Sequence, residues 1–206
     1  MMIKKIRNSK FKIRNWNAGM TYVELIVVLS IFSVLGSAVM FNYGTFQDRV
    51  DVRNLANDVA LRIIEAQKSS ISGKLPPSPL PSASWRPSYG IYIDRASDDK
   101  SFNYFVDRDQ GSDYDTSSCP GNGDCLEKVT ITKGNYISQI NRYSGSTPTA
   151  INTPLSITFI RPNNTAIFYS SGSLLTGFDY IQITIRSPKG HEAYIKVYPS
   201  GRIQIN

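Results

Sequence analysis

An acid stranded in an apolar run is the first residue here whose type and place imply chemistry. Residues 20–41 read MTYVELIVVLSIFSVLGSAVMF, and Glu24 is the one side chain among them charged at neutral pH. Acids inside a membrane are rare and usually paired, so Glu24 implies either a cationic partner or a place at the headgroup interface. Gly19 stands just before the run. Glycine leaves a backbone open to a protease and adds no side-chain volume.

Four other groups carry potential chemistry. Cys119 and Cys125 bracket Pro-Gly-Asn-Gly-Asp. In an oxidising compartment such a pair closes a small disulfide loop. Zinc would need further ligands, and the single histidine, His191, is far away in sequence. Asp107, Asp109, Asp113 and Asp115 form an acidic loop of the type that holds calcium. However, Ser112 occupies the position where a twelve-residue calcium loop starting at Asp107 needs glycine. A solvated acidic loop without metal is the favoured expectation. Arg186, Lys189, Lys196 and Arg202 lie near the C-terminus among Tyr180, Tyr194 and Tyr198. Clustered on one surface they would bind a nucleic-acid backbone, with tyrosines to stack on bases; scattered, they are ordinary surface charge. No nucleophile motif surrounds His191, Ser200-Gly201 is not a strand-to-helix elbow, and no phosphate-cradling glycine loop is found. The chain is therefore expected not to be an enzyme.

The elements that position these groups follow from charge and periodicity. The net charge of +7 is concentrated at one end. Lys4, Lys5, Arg7, Lys10, Lys12 and Arg14 precede Gly19 with no acid among them, which leaves 17 basic against 16 acidic residues in the rest. That asymmetry is a topology signal: the N-terminus stays inside the cytoplasmic membrane and the C-terminal part lies outside. About 20 residues of helix cross a bilayer core, so residues 20–41 are long enough to span it. An ordinary signal peptide, cut near Ser37-Ala38, and an unprocessed single-pass anchor are the rival accounts of this region.

The order basic leader, Gly19, Met20-Thr21-Tyr22-Val23-Glu24, apolar run resembles the processing motif of type IV prepilins and type II secretion pseudopilins. The resemblance implies cleavage after Gly19 by a prepilin peptidase and N-methylation of Met20. It implies that Glu24 pairs with the terminal ammonium of a neighbouring subunit during assembly. It further implies other pilin or pseudopilin subunits and an inner-membrane assembly platform as partners. The usual first mature residue of the family is Phe, so Met20 departs from the commonest pattern. The predicted product lies in the cytoplasmic membrane and then in a periplasmic or cell-surface fibre.

Beyond Phe41 the pattern becomes amphipathic. Val52, Leu55, Val59, Ile63 and Ala66 recur at intervals of three and four, flanked by Val50, Ala56, Ala60 and Ile64. The stripe is too short for a coiled coil and predicts packing on the chain's own sheet. Gly73 and the prolines from Pro76 predict the helix end, and Gly44 predicts a bend between residues 42 and 48. Residues 74–88, with Pro76, Pro77, Pro79, Pro81 and Pro87, read as a surface linker.

The remainder predicts eight or nine short antiparallel strands. Residues 90–93 and 101–106 form one pair. Residues 128–131 and 136–140 form a hairpin about Lys133-Gly134-Asn135. Residues 156–160 and 166–169 form another about Arg161-Pro162-Asn163-Asn164. Residues 180–186, 192–197 and 202–205 close the chain. The expected fold is α+β and pilin-like: a leader over 1–19, a long helix over 20–73 with its membrane part at 20–41, and a β-rich head over 74–206. Ile157-Thr158-Phe159-Ile160-Arg161-Pro162 and Gly201-Arg202-Ile203-Gln204-Ile205 are similar to strands of the minor pseudopilin H and FimT group. That similarity implies a minor fibre subunit, with DNA capture as the alternative role. Some pseudopilin heads hold calcium, which bears on the acidic loop.

Overall fold

A computed structural model describes residues 19–78, 84–115, 119 and 123–206. The basic residues 4–14, Pro79, Pro81 and most of the loop inside the cysteine pair lie outside the described residues. The chain divides into two compact units, Met1–Tyr43 and Gly44–Asn206.

In the first unit, helix α1 (Tyr22–Ser72) begins. Leu25, Ile26, Val27, Val28, Leu29, Ile31, Phe32, Val34 and Leu35 are all exposed. The helix is long and apolar enough to cross a membrane, and none of its most apolar window is buried. Ser30, Ser33 and Ser37 turn their hydroxyls back onto the helix, donating to the carbonyls of Val27, Leu29 and Ser33 at 2.7, 2.9 and 3.0 Å. These serines thus add no unpaired hydroxyl to an apolar surface.

The helix assignment continues through residues 42–48 without interruption. The Gly44 carbonyl accepts a hydrogen bond from Lys189 Nζ at 2.7 Å.

The second unit is an α+β head built from the rest of α1 and two antiparallel sheets. The first sheet has the order β3-β2-β1-β6-β7-β8, comprising β1 (Ser88–Ile93), β2 (Ser101–Val106), β3 (Cys125–Thr130), β6 (Leu155–Ile160), β7 (Ala166–Ser170) and β8 (Ser173–Leu174). The second has the order β11-β10-β9-β4-β5, comprising β4 (Tyr136–Ser144), β5 (Thr147–Ala150), β9 (Tyr180–Arg186), β10 (Glu192–Val197) and β11 (Ile203–Ile205). Among the described residues, two sheets and eleven strands replace the single sheet of eight or nine.

The helical stripe meets the alternation of both sheets in one core. Val52, Ala56, Val59, Ala60, Ile63 and Ala66 pack in the same buried cluster as Tyr89, Ile91, Ile157 and Phe159 of the first sheet and Ile181, Ile183, Ile195 and Val197 of the second. Three alanines on the helix face let it lie close to the sheets. In β4 the two inward residues, Ile137 and Ile140, are three apart, which breaks strict alternation. A register shift between Ile137 and Gln139 against β9 absorbs the extra residue, so both face the core.

The helix ends as its residues predict. Gly73 has φ +69, its N–H donates to Ser70 O at 3.1 Å, and Lys74 N donates to Ser69 O at 3.1 Å. These are the paired bonds of a Schellman cap, which a residue with a Cβ forms only with strain. Gln67, one turn earlier, donates from Nε2 to Asn164 O at 3.0 Å and Gly201 O at 3.1 Å, tying the helix to two head turns.

One strand pairing expected from sequence is corrected. The turn at Lys133-Gly134 exists, with φ +60 and +74. It does not close a hairpin, because β3 pairs with β2 while β4 pairs with β5 and β9. The turn instead carries the chain from one sheet to the other. The predicted β1–β2 and β6–β7 pairs and the β9–β10–β11 series are present.

Candidate functional site

Three places in the described residues gather the side chains with potential chemistry: the start of α1, the back of the first sheet, and the outer face of the second.

At the start of α1, Gly19 and Met20 lie outside the helix and are exposed, and nothing among the described residues approaches within 4 Å of a Cβ placed on Gly19. The bond between them is therefore non-helical. Thr21 is the N-cap. Glu24 Oε2 accepts from the Thr21 N–H and hydroxyl, both at 2.9 Å, and Thr21 Oγ1 accepts from the Glu24 N–H at 3.3 Å. This is a capping box, and its Thr-x-x-Glu signature stood unread in the sequence. Glu24 thus has a local partner in the single chain.

The back of the first sheet is covered by the chain between β2 and β3. Phe105 points away from the main core and packs edge-on against Tyr114, with ring centroids 5.4 Å apart. Tyr92 meets Tyr114 at 4.3 Å. Gly90 makes room for this layer: a Cβ there would lie 2.4 Å from Ile157 O and 2.7 Å from the Phe105 ring. The loop is pinned through strand β6, where Ser156 Oγ accepts from Tyr114 N at 3.2 Å and Thr158 Oγ1 donates to Ser112 O at 2.7 Å. Cys119 and Cys125 form a disulfide with Cα atoms 5.2 Å apart, closing the loop next to Asp124.

Within that loop the acids are unevenly placed. Asp107 is fully buried. Its Oδ2 accepts from Ser88 Oγ and Ser112 N, each at 3.0 Å, while its Oδ1 has no hydrogen-bond partner. Burial, followed by the neighbouring Asp109 carboxyl, pushes the Asp107 pKa up to about 7. One oxygen from each of Asp109, Asp115 and Asp124 falls within a 4.8 Å cluster. Asp124 is buried and raised to about 6, chiefly by desolvation, against the lowering effect of the N–H groups of Asp115 and Arg108. Asp115 is raised as well, by burial and then by Asp109 and Asp113. Of the four acids singled out from sequence, Asp109 and Asp115 belong to the cluster and Asp107 adjoins it. Asp113 is outside it, with Oδ2 3.7 Å from a Cβ placed on Gly172. Asp124 was missed. Its signal was adjacency to Cys125, which fixes it at the mouth of the loop.

On the second sheet, the four basic residues separate into two groups. Arg202 lies over the Tyr198 ring at 3.7 Å and Lys196 over Tyr180 at 4.9 Å. Tyr180 stacks on Tyr143 with centroids 4.8 Å apart and meets Tyr198 at 5.3 Å. Arg186, at the other end of β9, pairs with Glu192 at 3.7 Å, and Lys189 lies in the β9–β10 turn on Gly44 O. His191 sits in the same turn, its N–H donating to Ser187 Oγ at 3.1 Å. The structure therefore keeps a Tyr143–Tyr180–Tyr198 ladder flanked by Lys196 and Arg202, not one patch of four cations.

No protein-family model matches this chain, and neither does any curated protein or solved structure.

Proposed function

We propose that the chain is a fibre subunit of the type IV pilin or pseudopilin class, cut between Gly19 and Met20 and assembled through the start of α1. One observation carries this reading. An exposed, non-helical Gly19–Met20 bond immediately precedes a capped helix whose first turns, Glu24 apart, are apolar and exposed. A helix apolar all round is stable only inside lipid or packed among other helices. Cleavage at Gly19 removes the basic leader and leaves that helix attached, so the same segment serves first as membrane anchor and then as packing surface. The α+β head with its own core supplies the part displayed outside the membrane. A minor subunit remains the favoured place in the fibre.

The mass of the membrane-extracted protein, with N-terminal sequencing, tests this. The expected product starts at Met20, N-methylated, and Gly19→Leu accumulates as an uncut precursor. A mature chain that begins beyond residue 36 would sink the proposal, as would an uncut chain in cells that possess the peptidase.

A second reading, DNA capture by the head, rests on the tyrosine ladder with Lys196 and Arg202. Aromatic faces flanked by cations suit single-stranded nucleic acid. Retention of the full chain on single-stranded DNA at low salt, lost at high salt and in Lys196→Glu with Arg202→Glu, is the expected result. Absence of retention at low salt ends this reading.

A further inference from the structure

A fourth place, where α1 meets the β9–β10 turn, gathers donors that nothing else in the head uses. We propose that Arg49, Arg53 and His191 form a binding site for the phosphate of an anionic phospholipid, in the outer leaflet of the membrane that α1 enters. The inference rests on the membrane insertion of the reading above, and not on the cut at Gly19 or on fibre assembly.

The site lies wholly within the second unit. Arg49 and Arg53 stand one turn apart on α1, and with His191 and Asn206 they line an open pocket of about 300 Å³. Val52 and Ala193, both buried, supply its apolar part. Both arginines are exposed, and neither has an acid partner among the described residues. The acids on the same stretch of helix are engaged elsewhere: Asp48 accepts from Ser187 Oγ, and Asp51 pairs with Lys133 at 2.6 Å. Glu192, the acid that lines the pocket, pairs with Arg186 at 3.7 Å and accepts from the Tyr194 hydroxyl at 2.7 Å. His191 is held by its backbone N–H, which leaves its ring free to face a ligand. Two guanidiniums and an imidazole thus converge with no acceptor between them. A phosphodiester supplies one, because its paired oxygens match the forked N–H groups of arginine.

Position along the chain says which phosphate. With Glu24 at the inner boundary, about 20 helical residues carry the hydrocarbon core to about Gly44. Tyr43 and Phe46, both largely exposed, stand where an aromatic belt meets the outer interface. Headgroups extend the bilayer by about 5–7 Å on each side. Arg49 follows Gly44 by five residues, which is about 7 Å of helix. Helical side chains lean towards the N-terminus, here the membrane end, and a long arginine keeps its charge at the interface while its stem lies on apolar surface. Arg49 and Arg53 therefore reach back into the layer that holds lipid phosphates, and the His191 turn closes the pocket from the head side.

The test uses the full chain in a zwitterionic detergent at fixed pH, titrated separately with short-chain phosphatidylglycerol, short-chain phosphatidylcholine and inorganic phosphate. His191 is the single histidine, so its imidazole resonances report this pocket and not the basic leader, which also attracts anionic lipid. The expected result is a saturable shift of those resonances with phosphatidylglycerol alone. Arg49→Gln and Arg53→Gln change exposed residues, and each is expected to weaken the response about fivefold, the two together about twenty-five-fold. Lys100→Gln, an exposed cation that does not line the pocket, is expected to leave it unchanged. No shift with phosphatidylglycerol would overturn the proposal, as would an undiminished one in the double arginine variant. An equal response to inorganic phosphate would make this a soluble-anion site and overturn the lipid assignment. Insertion into vesicles without the phosphatidylglycerol response sinks this inference alone; failure to enter vesicles of either lipid sinks the membrane reading and this inference with it.

Discussion

Thr21 and Glu24 close a reciprocal capping box at the first turn of α1, with Glu24 Oε2 at 2.9 Å from both the Thr21 N–H and its hydroxyl. The same carboxylate is the one expected to pair with a neighbouring subunit's ammonium on the fibre reading. Because Oε2 already accepts both Thr21 donors in the single chain, the two roles compete for one acid or follow each other in time.

A pair of substitutions separates these roles. Glu24→Gln keeps an oxygen acceptor for Thr21 and removes the charge; Thr21→Ala removes the cap and keeps the charge. If charge pairing drives assembly, Glu24→Gln is processed and helical by circular dichroism but enters fibres about tenfold less or worse, while Thr21→Ala assembles nearly normally. The opposite ranking, scored by subunit counts in purified fibres, would make Glu24 a capping residue only.

The disulfide predicts a stability loss of modest size. Closing a loop of this length restricts the unfolded chain by about 2 kcal/mol in the chain-entropy picture. Replacing both Cys119 and Cys125 with serine is expected to lower the unfolding free energy by about that amount. Peptide mapping without reductant should recover the two cysteines as one linked fragment. Free thiols on the exported protein would contradict the bond.

Gly201 predicts a larger loss. Its φ is +83, and a Cβ would lie 1.9 Å from Asn164 O and 2.6 Å from Gln67 Nε2. Gly201→Ala therefore strains the turn and pushes apart the carbonyls that Gln67 bridges. A cost of about 2–3 kcal/mol is expected from overpacking and backbone strain together, read by chemical denaturation. Gly145, with open space around its Cβ, is the comparison: Gly145→Ala meets only the strain of φ +60 and should cost about 1 kcal/mol.

Tyr89 sets an alkaline limit. Its hydroxyl donates to Lys74 O at 2.8 Å, and burial, followed by Tyr104, raises its pKa to about 12. The unfolded phenol ionises near pH 10. A raised folded pKa means the native state holds the proton more tightly, so this contribution is complete below pH 10 and is lost as pH rises from 10 towards 12. Denaturation midpoints measured across pH 8–12 should fall in that window. Tyr89→Phe should start about 1 kcal/mol lower from the lost hydrogen bond and fall less steeply.

Features with a local cause were legible in the chain itself. The apolar run at residues 20–41, the stripe through Val52, Val59 and Ile63, the Gly73 cap and the β6–β7 hairpin each depend on periodicity or turn chemistry within a few residues. The cysteine pair was legible for the same reason. Even Glu24's capping partner was written three residues away, in Thr21.

Tertiary structure decided what lies next to what. Alternation in a strand says which face is apolar but not which strand is its neighbour, so β3 and β4 looked like a hairpin and belong to different sheets. Strand β1 pairs with β6 more than 60 residues on, with Ile91 opposite Ile157. In β2, Phe102 and Phe105 lie on opposite faces and both are buried, because the acidic loop covers the back of its sheet. That covering also removes Asp107 from water and brings Asp124 to Asp109 and Asp115. Desolvation and convergence depend on the whole packed layer, which is why the number of acids was plain in the sequence and their arrangement was not.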